Sequence, residues 1–193
     1  MPTSSFIARR TPGGYNGVVV HYLDQPSHKV PLLLTALQYR FDRDVDAMAR
    51  HLIDGVTLGW YTLGTDLLDG APPSLVTELT GGTQFSSTPL DGFLITTDGS
   101  PPTRNTITPQ SAVEQDFEWG YVLRPDGIEV ISVRIQAGWG PLVPWDTDPR
   151  TRFSDHPAHW AFEKPLPVIA PARPVRPTKP APGTASRRNT TRR

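Results

Sequence analysis

Two histidines and one aspartate lie close together near the start of the chain. His21, Asp24 and His28 are separated by three and four residues. Imidazole nitrogens and carboxylate oxygens are ligands for divalent metals, and a paired imidazole and carboxylate can move protons. This spacing is compatible with two or three metal ligands or with a His-Asp acid/base pair, although the structural interpretation is favoured. The structural alternative is that His21 is a half-buried strand residue, that Asp24 caps a turn and that His28 begins a helix.

A second histidine cluster lies further along the chain. His156 and His159 flank Pro157 and follow Asp155. Because proline disfavours a helix that would bring both imidazoles to one face, this spacing favours a loop with solvent-facing histidines over a metal site. The cluster could also join His21 or His28 if the fold brings these segments together.

A carboxylate lies beside two large aromatic residues in a β-prone segment that contains Glu118, Trp119 and Tyr121. An apolar environment raises the pKa of a carboxyl group and suits it to acid/base chemistry. Aromatic residues in strands more often pack in a core, which is the favoured interpretation. Glu118 is nevertheless a candidate acid or base, and Trp119, Tyr121 and the distant Trp60 are candidate binding residues.

The chain lacks the residues and motifs of several enzyme classes. It contains no Cys, which excludes disulfides, thiolate zinc sites and a cysteine nucleophile. It also lacks a Walker A loop, a GxGxxG segment after a strand, and the GxSxG and HExxH motifs. We therefore expect no bound metal and no cofactor.

The elements that position the first histidine are a hairpin and a helix. Two β-prone runs, residues 6–10 and 17–23, are separated by turn-forming Thr, Pro, Gly and Asn residues. Ser27 is a candidate N-cap, and Pro31 is compatible with a first helical turn. Apolar residues then recur at helical spacing, which predicts a helix over residues 28–39.

A second helix and a second hairpin follow. Asp42 or Asp44 can cap a helix that ends at Gly55. Residues 118–123 and 128–135 are the clearest strands, and the Arg-Pro-Asp-Gly sequence between them is typical of a tight turn. The apolar composition of these strands predicts a central position in a sheet.

The intervening segment, residues 56–109, has a weaker pattern. Gly, Thr, Ser and Pro interrupt its short apolar runs, which predicts long loops with one strand at residues 92–96. A hairpin, two helices and a meander of strands predict an α+β fold, with an antiparallel sheet and the helix pair packed on one face. We expect this fold to form a single domain over residues 1–163.

The formal net charge of zero hides a division within the chain. Residues 164–193 hold eight basic residues and no acidic one, which leaves 11 basic and 19 acidic residues in residues 1–163. Seven prolines lie in residues 165–182, so residues 164–193 are predicted to be a disordered basic tail. Such a tail can make weak, salt-sensitive and non-specific contact with nucleic acid, or it can screen the negative body.

The hydropathy pattern predicts a cytoplasmic protein. No segment approaches the roughly 18 apolar residues that a membrane helix requires. The first ten residues also lack the apolar stretch of a signal peptide. We therefore expect no membrane span.

Residues 19–27 read Val-Val-His-Tyr-Leu-Asp-Gln-Pro-Ser and lead into Pro31. This segment resembles the Tyr-Val-His-Trp-Asp-Gly-Tyr-Pro-Ser strand-turn-helix motif of a family of small uncharacterised proteins of actinobacteria and their phages. Gly59, Trp60 and the Glu-Trp-Gly-Tyr-Val-Leu strand at residues 118–123 are further similarities. The resemblance implies a fold and a source for the body of the chain, without implying an activity.

The preferred hypothesis is a non-enzymatic binding or interaction protein, an actinobacterial or actinophage accessory factor for a protein or small-molecule ligand. One alternative is a hydrolase-like enzyme that acts on a nucleotide or phosphoester, using His21 and His28 with Asp24 or Glu118. Another is a protein that tethers nucleic acid through its basic tail. The candidate binding residues are His21, His28, Trp60, Trp119, Tyr121, His156 and His159.

Overall fold

The computed structural model describes residues 4–90, 106–136, 138–161 and 168–169. The strands are β1 (Ser4–Thr11), β2 (Gly14–Val20), β3 (Gly59–Thr62), β4 (Thr88–Pro89), β5 (Thr106–Ile107), β6 (Phe117–Arg124), β7 (Gly127–Ser132), β8 (Leu142–Pro144), β9 (Arg152–Phe153) and β10 (Val168–Ile169). The main sheet has the order β4-β3-β2-β1-β6-β7-β8, with β5 paired to β2. A second sheet pairs β9 with β10.

The helices are α1 (Pro26–Thr35), α2 (Val45–Ala49), α3 (Pro73–Thr80) and α4 (Pro109–Glu114). α1 and α2 each continue into a π-helical segment, at Ala36–Arg40 and Arg50–Asp54. Within the described residues, 3-10 helices lie at Thr65–Leu68 and Pro157–Trp160. Within the described ranges, no helix has the length and apolar character needed to cross a membrane.

Both predicted hairpins form. β1 and β2 pair antiparallel up to Thr11 opposite Gly14, and β6 and β7 pair antiparallel up to Arg124 opposite Gly127. Each turn has proline as its first central residue, where the fixed φ of the ring favours a β-turn. These local sequence signals therefore place the two hairpins correctly.

The main sheet is mixed and mostly antiparallel, which corrects the prediction of a purely antiparallel sheet. β1 pairs with β6 in parallel, and β2 pairs with β3 in parallel. In both cases helices lie between the two strands in sequence, so the chain crosses back and enters the second strand in the same direction. The fold class is α+β, as predicted.

The two predicted helices begin at different kinds of cap. Asp44 caps α2 as predicted, because its side chain accepts a hydrogen bond from the backbone N–H of Ala47 at 2.8 Å. The predicted N-cap at Ser27 is wrong: α1 begins at Pro26, and the capping position is Gln25, which makes no side-chain cap. Asp155, which is distant in sequence, accepts hydrogen bonds from Ser27 and takes over this role.

Side chains alternate between the two faces of the central strands, and both faces are buried. All six residues of β7 are buried, as expected for a central strand. The first core cluster includes strand residues with residues of α1 and α2: Ile7, Val18, Val20, Tyr121, Val130, Leu33, Leu34, Met48 and Ala49. The second includes strand residues with Ala112 of α4: Phe6, Ala8, Tyr15, Val122 and Ile131. The packing of α1 and α2 as a pair on one face stays a prediction.

Residues 56–109 contain more regular structure than predicted, because β3, a 3-10 helix, α3, β4 and β5 all begin there. The strand predicted at residues 92–96 lies outside the described residues. Within the predicted tail, Val168–Ile169 pairs antiparallel with β9, and the other residues from 164 to 193 lie outside the described ranges. The predicted division at residue 163 stays a prediction.

Candidate functional site

The first histidine cluster forms the corner between β2 and α1. His21 follows β2 directly, and its backbone N–H donates to the carbonyl of Trp60 in β3 at 3.1 Å. Leu23 then has φ +55°, a left-handed conformation that is uncommon for leucine. The chain turns at this residue and enters α1 at Pro26.

Asp24 points into the protein, and its side chain is nearly inaccessible to solvent. The hydroxyl of Ser5 donates to Asp24 Oδ1 at 3.2 Å, whereas Oδ2 has no hydrogen-bond partner. The Tyr121 hydroxyl donates to the backbone carbonyl of Asp24. Burial, together with the charge of Asp24, raises the pKa of Tyr121 well above 10, so this hydroxyl remains a donor. Because the Asp24 carboxyl group is nearly inaccessible to solvent, its burial favours a structural role for this residue, and its candidate acid/base or metal-ligand role stays a hypothesis.

Lys29 is buried next to the same turn, and its ammonium donates to the carbonyl of Tyr22 at 3.3 Å. Burial lowers the pKa of Lys29 to about 8, against the opposing effect of the Asp24 charge. Burial raises the pKa of Asp24 to about 7, and the negative charge of Glu118 adds to this rise. The charge of Lys29 and the hydrogen bond from Ser5 act in the opposite direction. Asp24 and Lys29 thus influence each other through their charges without a direct ion pair, and burial disfavours the charged form of both.

The two histidines of the corner bond to different serines. His21 Nδ1 lies 3.2 Å from Ser4 Oγ, and His28 Nδ1 lies 3.1 Å from Ser27 Oγ. Among the residues that the structure describes, no hydrogen bond joins His21 to His28, and no group of three or more potential ligands could hold a metal ion.

Asp155 connects the second histidine cluster to the corner. Its carboxylate accepts hydrogen bonds from the backbone N–H of Ser27 at 2.9 Å and from the Ser27 hydroxyl at 2.8 Å. A negative charge at a helix N-terminus is favourable, and these bonds supply the cap that Gln25 does not make. The two segments that the sequence suggests could meet are therefore in contact through Asp155.

The histidines that follow Asp155 are occupied locally. His156 Nδ1 accepts from the backbone N–H of Ala158 at 3.3 Å, and His159 Nδ1 lies 2.8 Å from Ser154 Oγ. Their ring centroids are 5.1 Å apart, and both side chains are exposed. Both histidines face solvent, as predicted, but the predicted loop is wrong, because Pro157–Trp160 form a 3-10 helix in which Pro157 takes the first position.

A mainly apolar cavity, here called the corner pocket, opens beside His28. Its volume is about 260 Å³. Ser27 and His28 contribute polar atoms, and most of the remaining lining is apolar, which is typical of a small-ligand or side-chain pocket. The lining residues are Leu23, Ser27, His28, Pro31, Leu32, Leu63, Gly64, Thr65, Leu68, Leu79, Thr80 and Phe85.

Three large exposed side chains, Tyr22, Leu23 and Tyr61, form what we call the corner patch. Each is more than 40% exposed, and the Tyr22 and Tyr61 ring centroids lie 4.6 Å apart. A hydrogen bond with Tyr22 raises the pKa of Tyr61. Because Leu23 also lines the corner pocket, the patch and the pocket are one continuous surface.

The predicted aromatic binding residues lie in the core. Trp119 and Tyr121 are fully buried, and Trp60 is 7% exposed, with its indole N–H donating to the Leu52 carbonyl at 2.8 Å. The structure therefore agrees with the packing interpretation of these residues. Glu118 is half-buried, and its charge acts on Asp24.

Two buried charged groups are absent from the sequence predictions. Lys29 lies four residues before Leu33, so its position on the apolar face of α1 was a detectable signal. Glu129 lies between the apolar residues Ile128 and Val130 in β7, and its side chain is 1% exposed. Arg10 of β1 donates from Nε to Glu129 at 3.0 Å and forms a second bond through Nη2, while Arg124 lies 3.8 Å away.

Comparison of the chain with known protein families, with curated proteins and with solved structures finds no match in any of the three.

Proposed function

We propose that this chain is a non-enzymatic binding protein and that the corner pocket and corner patch together form its recognition surface. One observation carries the proposal. The exposed side chain of Leu23 belongs to the corner patch and also lines the corner pocket, an apolar cavity of about 260 Å³, so that the patch and the pocket form one surface. An exposed apolar surface that leads into a pocket is typical of an interaction site.

The placement of the ionisable groups supports binding over catalysis. A general base must reach the proton that it removes, directly or through one water. The Asp24 carboxyl group is buried beneath the corner. Among the described residues, the hydrogen bonds of His21 and His28 go from Nδ1 to Ser4 and Ser27, so neither imidazole is oriented by a carboxylate. The preferred role of His28 is to provide a polar contact at the edge of an apolar pocket.

The expected ligand is a segment of another protein. The corner patch extends the surface beyond the pocket, and tyrosine side chains provide large contact areas at low entropic cost. We propose that an apolar side chain of the partner enters the pocket while neighbouring residues contact Tyr22 and Tyr61. Two further expectations rest on the sequence alone: that the protein is an actinobacterial or actinophage accessory factor, and that it is cytoplasmic.

Selection from a phage-displayed library of random peptides tests this proposal. Leu32 is half-buried and lines the pocket, so Leu32→Trp should fill the cavity. Val113→Trp is a matched control, because Val113 is 54% exposed on α4, which contributes to the second core cluster. Selected peptides should bind the wild type and Val113→Trp equally and Leu32→Trp at least tenfold more weakly.

Circular dichroism and thermal unfolding should show that the Leu32→Trp variant folds. If it does not, Thr80→Trp, at another half-buried lining residue, replaces it. Failure to select any peptide, or equal binding by folded pocket-filling variants and the control, would contradict the proposed function.

A further inference from the structure

A second groove continues from the corner pocket and differs from it in charge. The groove has a volume of about 580 Å³ and shares Thr65, Leu68 and Phe85 with the pocket. Two carboxylates, Asp66 and Asp69, lie in its lining. We call this second compartment the acidic groove. A ligand longer than one side chain can therefore occupy both compartments.

The acidic groove has a net negative charge. Asp66 Oδ1 accepts from the backbone N–H and the hydroxyl of Ser87, at 2.6 and 2.8 Å. Arg40 contacts both carboxylates, with Nη1 at 3.3 Å from Asp66 Oδ2 and 3.7 Å from Asp69 Oδ2. One guanidinium thus faces two carboxylates, which leaves one negative charge in excess.

The excess charge is accessible to a ligand. The side chain of Asp69 is 75% exposed, and its contact with Arg40 is longer than a hydrogen bond. Among the residues that the structure describes, no lysine or arginine lines the acidic groove or the corner pocket. The excess of 19 acidic over 11 basic residues in residues 1–163 adds a long-range attraction for positive charge.

We propose that the occupant of this surface is a basic-apolar segment of a partner protein, with a large apolar side chain in the corner pocket and a lysine or arginine in the acidic groove. This inference rests on the proposed function and adds the chemistry of the partner. The two anchor residues lie close in the partner sequence, because the compartments share a wall and an extended chain spans only ~3.3–3.6 Å per residue. An acidic segment would be repelled at Asp69.

The peptides selected for pocket-dependent binding provide the test. They should be enriched in lysine or arginine within about three residues of a large apolar residue. Synthetic versions in which glutamine replaces the basic residue should bind about two- to fivefold more weakly, as expected for one partly exposed ion pair. The same replacement should reduce the dependence of affinity on salt.

Asp69→Asn is the reciprocal variant, and Glu114→Gln is its control. Both carboxylates are exposed, but Glu114 lies on α4 and lines neither compartment. Asp69→Asn should weaken the basic peptide about two- to fivefold and leave the glutamine peptide unchanged, whereas Glu114→Gln should change neither. Pocket-dependent peptides without basic enrichment, or equal affinities for Asp69→Asn and Glu114→Gln, overturn this inference and leave the proposed function standing. Binding that is insensitive to pocket filling overturns the proposed function itself.

Discussion

Ser27 and Asp155, 128 positions apart in the chain, are joined by two hydrogen bonds of 2.9 and 2.8 Å. These bonds hold the loop after β9 against the first turn of α1. They also fix the edge of the corner pocket, because Ser27 and its neighbour His28 both line it. The contact therefore links the capping of a helix to the shape of the proposed recognition surface.

Removal of the Asp155 carboxylate should destabilise the protein modestly. We expect Asp155→Ala to lower the free energy of unfolding by about 0.5–2 kcal/mol, the range for loss of a helix cap. Asp155→Asn should cost less, because it keeps a carbonyl acceptor. Urea denaturation measures both changes. Asp126→Ala, which removes an exposed partner of Arg124 at 3.2 Å, should cost less than Asp155→Ala, and the reverse order would contradict the capping role.

The buried Asp24 carboxyl should make stability depend on pH. Its pKa is about 7 in the folded protein, above the ordinary value of 3.8, so the folded state binds this proton more tightly than the unfolded state. The resulting stability is fully present below about pH 4 and is lost as the pH rises through 7. Lys29, with a folded-state pKa of about 8, adds little slope in this window because it is charged in both states.

Asp24→Asn isolates this effect. Between pH 4 and 7 the wild type should lose roughly 1–4 kcal/mol more unfolding free energy than Asp24→Asn, since a tenfold difference in proton affinity is worth ~1.4 kcal/mol. Chemical denaturation at several pH values measures the difference. Glu114→Gln controls for loss of an exposed carboxylate and should keep the wild-type slope. Parallel curves for the wild type and Asp24→Asn would show that burial does not favour the protonated acid.

Arg9 and Arg10 are adjacent in β1 but should differ in their contribution to stability. Arg10 pairs with Glu129, whose side chain is 1% exposed, whereas Arg9 pairs with the exposed Asp54 at 2.8 Å. Arg10→Ala leaves a buried carboxylate without its main partner and should cost roughly 2–5 kcal/mol. Arg9→Ala should cost at most about 1 kcal/mol.

Denaturant titrations of the two variants check this difference. Adding Glu129→Gln to Arg10→Ala should recover part of the loss, because it removes the uncompensated buried charge. Equal losses for the two arginines would contradict a special contribution from the buried ion pair. A large loss with no recovery in the double variant would instead indicate that Arg10 contributes mainly through its packing on Trp139, where its guanidinium lies 3.7 Å from the ring centroid.

Local patterns predict the hairpins and the α+β class because their signals lie within a few residues of one another. The parallel pairing of β1 with β6 joins Ile7 to Tyr121, and no local signal specifies such a distant partner. The predicted N-cap of α1 is wrong for the same reason. Ser27 resembles an N-cap in sequence, but the acceptor that completes the helix start comes from Asp155.

The candidate site shows the same limit. The spacing of His21, Asp24 and His28 can form one site only if the three side chains point into the same space. The backbone turns at Leu23 in a left-handed conformation, and Asp24 then points into the protein. The lining of the corner pocket comes partly from residues 63–85, where the periodic pattern is weakest. A pocket assembled from such segments depends on tertiary packing, which a single sequence does not reveal.

Nuclear magnetic resonance of the protein with a selected peptide tests the central claim most directly. In spectra of methyl-labelled protein, the peptide should shift the methyl signals of Leu32 and Leu79 and give intermolecular contacts from its apolar side chain to them. The backbone amide of Asp69 should shift in the same titration. Contacts confined to a distant surface, such as the exposed Trp139, with the Leu32 and Leu79 signals unchanged, would contradict the assignment of the corner pocket as the recognition site.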